Sequence, residues 1–133
     1  MKPLFADTFY FLALLHVDDN AHSRAVGFSE TSSDPLLTTA WVLTEVADAL
    51  AMPGMRETFT RLLTALRGDP AYMIVPPTQA LFDQGVELYA KRPDKDWSLT
   101  DCISFVVMRD QGITQALTGD HHFEQAGFMA LLK

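Results

Sequence analysis

Short apolar runs recur along the chain, each closed by turn-forming or polar residues. Brief runs of aliphatic and aromatic side chains that are separated by helices are typical of buried strands in a parallel sheet. Five runs fit this description, and they predict strands at residues 4–6, 36–39, 72–75, 113–118 and 128–132. The sequence therefore indicates a sheet of about five strands.

The segments between these runs repeat apolar residues at intervals of three and four, as helices with a buried face do. They predict seven helices, at residues 9–15, 22–29, 41–50, 55–66, 78–90, 99–110 and 121–126. Strands that alternate with helices favour a parallel sheet with helices on both faces. We expect an α/β fold, a three-layer α/β/α arrangement in which residues 1–133 form a single domain.

Four acidic residues stand where such a sheet would bring them together. Asp7 follows the first strand, and Asp120 follows the fourth. Glu45 lies in the first turns of the helix after the second strand, and Asp101 lies in the first turn of the helix before the fourth. Because helices that connect parallel strands begin at the carboxyl edge of the sheet, we expect all four carboxylates at that edge, where open α/β sheets bind ligands.

Each acid also has a purely structural explanation. Asp7 and Asp120 could cap helices, Asp101 could complete a capping box with Ser98, and Glu45 could be a surface residue near a helix N-terminus. As a group, however, four neighbouring carboxylates raise one another's pKa unless a cation compensates their charge. Hard oxygen ligands favour Mg²⁺ or Mn²⁺ over Zn²⁺, and such an ion could activate water for phosphodiester hydrolysis.

Composition and charge narrow the class of protein further. Seventeen acids against ten lysines and arginines give a net charge of −7, the opposite of the basic surface with which many proteins hold nucleic acid. An enzyme that reaches phosphates through a metal ion is compatible with that charge.

The longest apolar run, Phe9–Leu15, is too short for a membrane span, and no signal-peptide pattern is present, so we expect a cytoplasmic protein. The single cysteine, Cys102, excludes an internal disulfide and a multi-cysteine zinc site.

Four short motifs surround the acids. They are Phe-Ala-Asp-Thr at 5–8, Thr-Glu-Val at 44–46, Trp-Ser-Leu-Thr-Asp-Cys at 97–102 and Thr-Gly-Asp-His-His-Phe at 118–123. With these motifs in this order and spacing, the sequence resembles the PIN-domain family over nearly its whole length. The resemblance is greatest to the VapC-type ribonuclease toxins of bacterial and archaeal toxin–antitoxin pairs.

The resemblance implies a Mg²⁺-dependent endoribonuclease, with Mn²⁺ able to substitute, that hydrolyses RNA with a metal-activated water. The acidic quartet of the family matches this chain residue by residue. Asp7 and Asp101 would be metal ligands, Asp120 would contribute directly or through water, and Glu45 would orient or activate the water. The resemblance also implies a homodimer and a cognate antitoxin protein whose C-terminal segment crosses the site. The alternative is a catalytically silent PIN-fold module that binds protein.

Several other residues near the acids have two interpretations. Three hydroxyls, those of Thr8, Ser98 and Thr118, could bind the carboxylates or a scissile phosphate, or they could be caps and scaffold. His121 and His122 follow Asp120 directly and could supply a general acid, a common role of histidine, although in the family pattern the second histidine is mainly structural. The basic loop at 91–95 is a candidate contact for an RNA backbone, and a solvated face explains it equally well.

Overall fold

The computed structural model describes residues 2–133 of the chain, over which five strands and seven helices alternate. The strands are β1 (Leu4–Ala6), β2 (Leu36–Thr39), β3 (Tyr72–Val75), β4 (Gln115–Leu117) and β5 (Met129–Ala130). The helices are α1 (Thr8–Leu15), α2 (His22–Thr31), α3 (Ala40–Ala49), α4 (Arg56–Gly68), α5 (Gln79–Lys91), α6 (Leu99–Gln111) and α7 (His121–Gln125). Within residues 2–133, no helix combines the length and the apolar character needed to cross a membrane.

The five strands form one parallel sheet in the order β3-β2-β1-β4-β5. Strand β1 is central, and its Phe5 is opposite Leu37 of β2 on one side and Ala116 of β4 on the other. The chain first adds β2 and β3 on one side of β1 and then crosses to add β4 and β5 on the other. The order therefore reverses between β1 and β4, and such reversal points form a crevice at the carboxyl edge of the sheet.

The helices flank the sheet and confirm the expected three-layer architecture. Helix α6 contains a continuous stretch of buried residues, which runs from Asp101 to Met108. A helix that is buried on all sides belongs to the core rather than to the surface. Its Phe105 ring contacts the rings of Trp97 and Phe123 edge-on, with centroids 5.0 Å apart in both pairs. This aromatic contact holds the start of α6 against α7, at the carboxyl edge of the sheet.

Two strands are shorter than the sequence predicts, for the same physical reason. The predicted strand at 113–118 begins only at Gln115, because the Ile113 N–H donates to the Met108 carbonyl and completes the C-cap of α6. The predicted strand at 128–132 begins at Met129, because the Phe128 N–H donates to the Phe123 carbonyl after α7. In both places an apolar residue after a left-handed glycine closes a helix instead of starting a strand.

Two helical glycines of contrasting surroundings test the contact between α5 and α6. A methyl group at Gly85 of α5 would collide with the Ile103 side chain of α6, whereas one at Gly27 of α2 would meet no atom within 4 Å. We expect Gly85→Ala to lower the free energy of unfolding by about 1–3 kcal/mol through overpacking. The control Gly27→Ala should raise it by roughly 0.5–1 kcal/mol, because alanine favours helix. Denaturant unfolding of both variants measures the difference, and equal shifts of the same sign would contradict the packing described here.

Candidate functional site

The Asp7 side chain lies where the strand order reverses between β1 and β4. Although Asp7 occupies the N-cap position of α1, its carboxylate makes no capping hydrogen bond. Its Oδ2 instead accepts a hydrogen bond of 2.9 Å from the hydroxyl of Thr118, which follows β4. The residue is only 5% exposed, and Thr118 is fully buried. The structural explanation by capping therefore fails for Asp7, whose charge is directed to the junction of the two strands.

A chain of hydrogen bonds leads from Thr118 to the other aspartates. The Asp120 N–H donates to the Thr118 hydroxyl at 3.0 Å, and the Asp120 carboxylate accepts from the His122 N–H at 2.9 Å. The His122 Nδ1 atom lies 3.1 Å from Asp101 Oδ2 and 3.4 Å from Asp120 Oδ1. The imidazole thus bridges the first turns of α6 and α7 and sets two carboxylates side by side.

Asp101 combines a structural contact with an open oxygen. It forms the predicted capping box, in which its N–H donates to the Ser98 hydroxyl at 3.0 Å and its Oδ2 accepts from the Ser98 N–H at 3.1 Å. The contact with His122 uses the same Oδ2 atom. Within residues 2–133, Asp101 Oδ1 has no hydrogen-bond partner, so the capping explanation leaves one oxygen available to a ligand.

Glu45 is linked to the cluster through Thr8, the residue after Asp7. It lies half-buried in α3, which begins directly after β2, and its Oε1 accepts a short hydrogen bond from the Thr8 hydroxyl. Thr8 is the first residue of α1 and the chain neighbour of Asp7. The carboxyl edge therefore collects all four acids predicted from the sequence: Asp7, Glu45, Asp101 and Asp120.

Burial and the neighbouring acids both disfavour the charged forms of Asp7 and Asp101. Burial raises the pKa of Asp7 to about 7, the Thr118 hydrogen bond opposes that rise, and the charges of Asp101 and Glu45 add to it. The pKa of Asp101 is also raised, first by burial and then by Asp120, against the Ser98 N–H and His122. Among residues 2–133, no lysine or arginine forms an ion pair with any of the four acids.

This donor set fits a hard divalent cation. Buried carboxylates that raise one another's pKa and have no cationic side chain beside them are compensated when a metal ion binds. Oxygen ligands suit Mg²⁺ and Mn²⁺. The ligand atoms of Asp120, His121 and His122 also lie within 4.8 Å of one another, so the edge offers nitrogen beside oxygen.

Sequence reasoning missed the part played by His122. Its bridging contact depends on α6 and α7 beginning side by side, and the chain separates Asp101 from His122 by 21 positions. The only local signal is its place in the first turn after Asp120. His121, by contrast, is exposed and lies 3.6 Å from Asp120 Oδ1, so the two histidines have different surroundings.

Comparisons with known proteins show the family and the fold of the chain. A family model described as PIN domain matches residues 4–129. The chain is 28% identical over 127 residues to the 23S rRNA-specific endonuclease VapC20 of Mycobacterium tuberculosis, and the alignment covers 95% of both proteins. The crystal structure of VapC20, described as a Sarcin-Ricin loop cleaving toxin, matches with a TM-score of 0.85 at 27% identity, over 95% of this chain and 96% of that one. FitAcB from Neisseria gonorrhoeae shares the fold, with a TM-score of 0.65 at 18% identity over 96% and 94% of the two chains.

The raised pKa of Asp7 predicts how the metal-free protein responds to pH. Folded Asp7 holds its proton up to a pH of about 7 and unfolded Asp7 only to about 3.8, so its contribution to stability is lost as pH rises between those values. We expect the unfolding temperature in a chelator to fall by roughly 5 °C between about pH 5 and about pH 8. Thermal unfolding followed by circular dichroism measures this fall.

Two variants isolate the contribution of Asp7 to that pH dependence. Asp7→Asn removes the titrating group but keeps an oxygen for Thr118, so its unfolding temperature should fall clearly less than that of the unmodified chain. Asp110→Asn, at an exposed position in α6, should follow the unmodified chain. If Asp7→Asn and the unmodified chain fall in parallel, Asp7 does not carry the buried charge.

Proposed function

The chain belongs to the PIN-domain family, and we propose that it is a divalent-metal-dependent endoribonuclease, the toxin of a toxin–antitoxin pair. The observation that carries the proposal is the cluster of Asp7, Asp101 and Asp120, with Glu45 beside it, that no lysine or arginine compensates within residues 2–133. Such a cluster is costly unless it binds a cation. The chain is 28% identical to an rRNA-specific endonuclease over 95% of its length, and this similarity supports RNA as the substrate class.

We propose Mg²⁺ as the ion, with Mn²⁺ as a substitute, and Asp7 and Asp101 as its direct protein ligands. Asp120 would contribute directly or through water, because its Oδ1 is already engaged by the His122 N–H. When bound, the ion would lower the pKa of water and offset charge on the scissile phosphate. Phosphodiester hydrolysis needs both effects near neutral pH.

The protein residues around the ion would orient the reaction. Glu45, held at Oε1 by the Thr8 hydroxyl, would position the attacking water and accept its proton. Thr118 would fix Asp7, and His122 would fix Asp101 relative to Asp120. Both act through the carboxylates they contact, as hydrogen-bonded partners of metal ligands generally do.

The same charges suggest the nature of the protein partner. A chain with a net charge of −7 and four acids at one edge attracts a cationic segment, and a basic side chain placed among the acids would replace the metal ion. We propose that an antitoxin inhibits the enzyme in this way, in the cytoplasm, and that the toxin itself is a homodimer, as the family resemblance implies.

Metal dependence tests the proposed function directly. We expect the purified chain to bind Mn²⁺ in calorimetric titration and to cleave ribosomal RNA in Mg²⁺ or Mn²⁺ but not in a chelator. Asp7→Asn and Asp101→Asn should each lower the cleavage rate by roughly 100-fold or more, since each removes a charged ligand. The control Asp110→Asn removes the same charge from an exposed site and should cleave normally.

Two outcomes would contradict this function. Saturable Mn²⁺ binding without cleavage of any RNA would favour a catalytically silent, protein-binding PIN module. Absence of saturable binding at millimolar Mn²⁺ would mean that the four acids are caps and surface groups, and the metal site would be wrong. Circular dichroism spectra of the unmodified chain and of the aspartate variants distinguish either outcome from unfolding.

The Thr118 hydroxyl should matter to the metal site as well as to the fold. Thr118→Val removes the donor to Asp7 Oδ2 and the acceptor for the Asp120 N–H at nearly constant volume. We expect Mn²⁺ affinity to fall by roughly tenfold, as for other residues that orient metal ligands. Ser104→Ala, which removes a buried hydroxyl bonded only to the Thr100 carbonyl, is the matched control and should keep full affinity. Equal affinity in both variants would exclude a positioning role for Thr118.

A further inference from the structure

A second concave surface lies beside the acid cluster, between the end of α5 and the start of α6. The two helices meet at Gly85 and Ile103, and about one turn from this contact they border a groove of about 1020 Å³. This volume is at the upper end of the roughly 300–1,000 Å³ typical of ligand sites. We call it the α5–α6 groove, and its principal lining residues are Val86, Tyr89, Arg92, Lys95, Trp97 and Ser98.

The groove is continuous with the acid cluster through Ser98. This residue lines the groove, while its N–H donates to Asp101 Oδ2 and its hydroxyl accepts from the Asp101 N–H. A chain bound in the groove could therefore contact Ser98, which is hydrogen-bonded to the proposed metal ligand Asp101. The groove makes no use of the four acids, so it extends the site rather than repeating it.

The groove is lined by one exposed and one buried aromatic side chain. Tyr89 is 55% exposed, whereas Trp97 is buried and its Nε1 donates to Gln125 Oε1 at 3.0 Å. The Arg92 guanidinium lies 5.1 Å from the centroid of the Trp97 ring. Unpaired bases stack on exposed aromatic rings with little regard to sequence, and paired bases are not free to do so. Tyr89 is thus suited to an unpaired base.

The charges of the groove differ from those of the rest of the edge. Arg92 donates Nε and Nη2 to the two carboxylate oxygens of Asp94 at 3.0 Å each, and Lys95 Nζ lies 3.9 Å from Asp94. Asp96 also lines the groove, so the charges of two cations and two acids cancel there, although the whole chain has a net charge of −7. Arg92 uses only two of its five N–H donors on Asp94, so others remain for a phosphate.

We propose that the α5–α6 groove binds the unpaired RNA strand on one side of the scissile phosphate. Tyr89 stacks on one base, and Arg92 and Lys95 contact the backbone phosphates next to it. Because the charges of the groove cancel, a cationic antitoxin segment finds no net attraction there, in contrast to the four acids beside it. The proposal rests on the proposed function, since it takes RNA as the substrate.

Binding and cleavage are measured separately, so that the two proposals can fail independently. Binding is followed by fluorescence anisotropy of a labelled single-stranded RNA of about 12 nucleotides, with Asp7→Asn as the shared, cleavage-deficient background. Tyr89→Ala should weaken binding roughly tenfold, and Tyr89→Phe should restore it because the ring remains. Met73→Ala removes an exposed apolar side chain from β3 and is the matched control.

The charged contacts are tested by the dependence of affinity on salt. Arg92→Ala and Lys95→Ala should each weaken RNA binding and reduce the slope of log affinity against log salt by about 1. Arg61→Ala also removes an exposed arginine paired with an acid, here Glu57 on α4, and should leave both quantities unchanged. In the active background, Tyr89→Ala should raise the KM for cleavage of ribosomal RNA and leave kcat nearly unchanged.

Three outcomes would overturn the inference. Affinity within twofold of the parent for both Tyr89→Ala and Arg92→Ala would exclude the groove as an RNA site, even if the chain cleaves RNA. Variants that dissociate a dimer or an antitoxin complex while RNA affinity persists would identify the groove as a protein interface. Equal loss of affinity with Met73→Ala or Arg61→Ala would mean that the effect is not specific to the groove. If the chain cleaves no RNA, the anisotropy series still decides whether the groove binds it.

Discussion

The Asp7 carboxylate lies in the interior, at the carboxyl edge of the sheet, where a negative charge is costly unless a cation faces it. Its position follows from the strand order, because β1 and β4 become neighbours only when the chain crosses from one side of the sheet to the other. The Thr118 hydroxyl, on the far side of that junction, donates to its Oδ2 and fixes its position. The burial of the Asp7 carboxylate and its need for a compensating cation thus both follow from the position that the strand order gives it.

Structural and functional roles coexist in this cluster. Asp101 and Asp120 both cap helices, as the sequence suggested, and this capping holds their carboxylates at fixed positions. A capped carboxylate has already lost much of its rotamer freedom, so a ligand that binds its free oxygen causes little further ordering. His122 extends the same principle by joining the two caps. In the proposed function, helix capping would therefore preorganise the site and would not compete with ligand binding.

The predictability of each feature from the sequence depends on how local its cause is. Strands, helices and the four acids were predicted because apolar periodicity and strand-end position are local signals. The starts of β4 and β5 were placed too early, since Ile113 and Phe128 close helices through bonds that apolar character does not reveal. The strand order and the His122 bridge required knowledge of distant contacts. The α5–α6 groove was equally hidden, because its lining combines the end of α5, the following loop and the start of α6, whose packing no local pattern reveals.

The uneven charge distribution bears on how an acidic protein can act on a polyanion. In the proposed enzyme, the four acids would repel phosphate until a metal ion compensated their charge, so association of RNA with the edge and occupancy of the ion would be coupled. A neutral surface beside the acids, with donors on Arg92 and Lys95, shortens the distance over which the substrate meets net repulsion. A cationic inhibitor would be attracted by the acids, whereas the groove, in which Asp94 and Asp96 balance Arg92 and Lys95, would offer it no net attraction. In the proposed scheme, the difference between an acidic surface and an adjoining neutral one would therefore separate the inhibitor from the substrate without any change of fold.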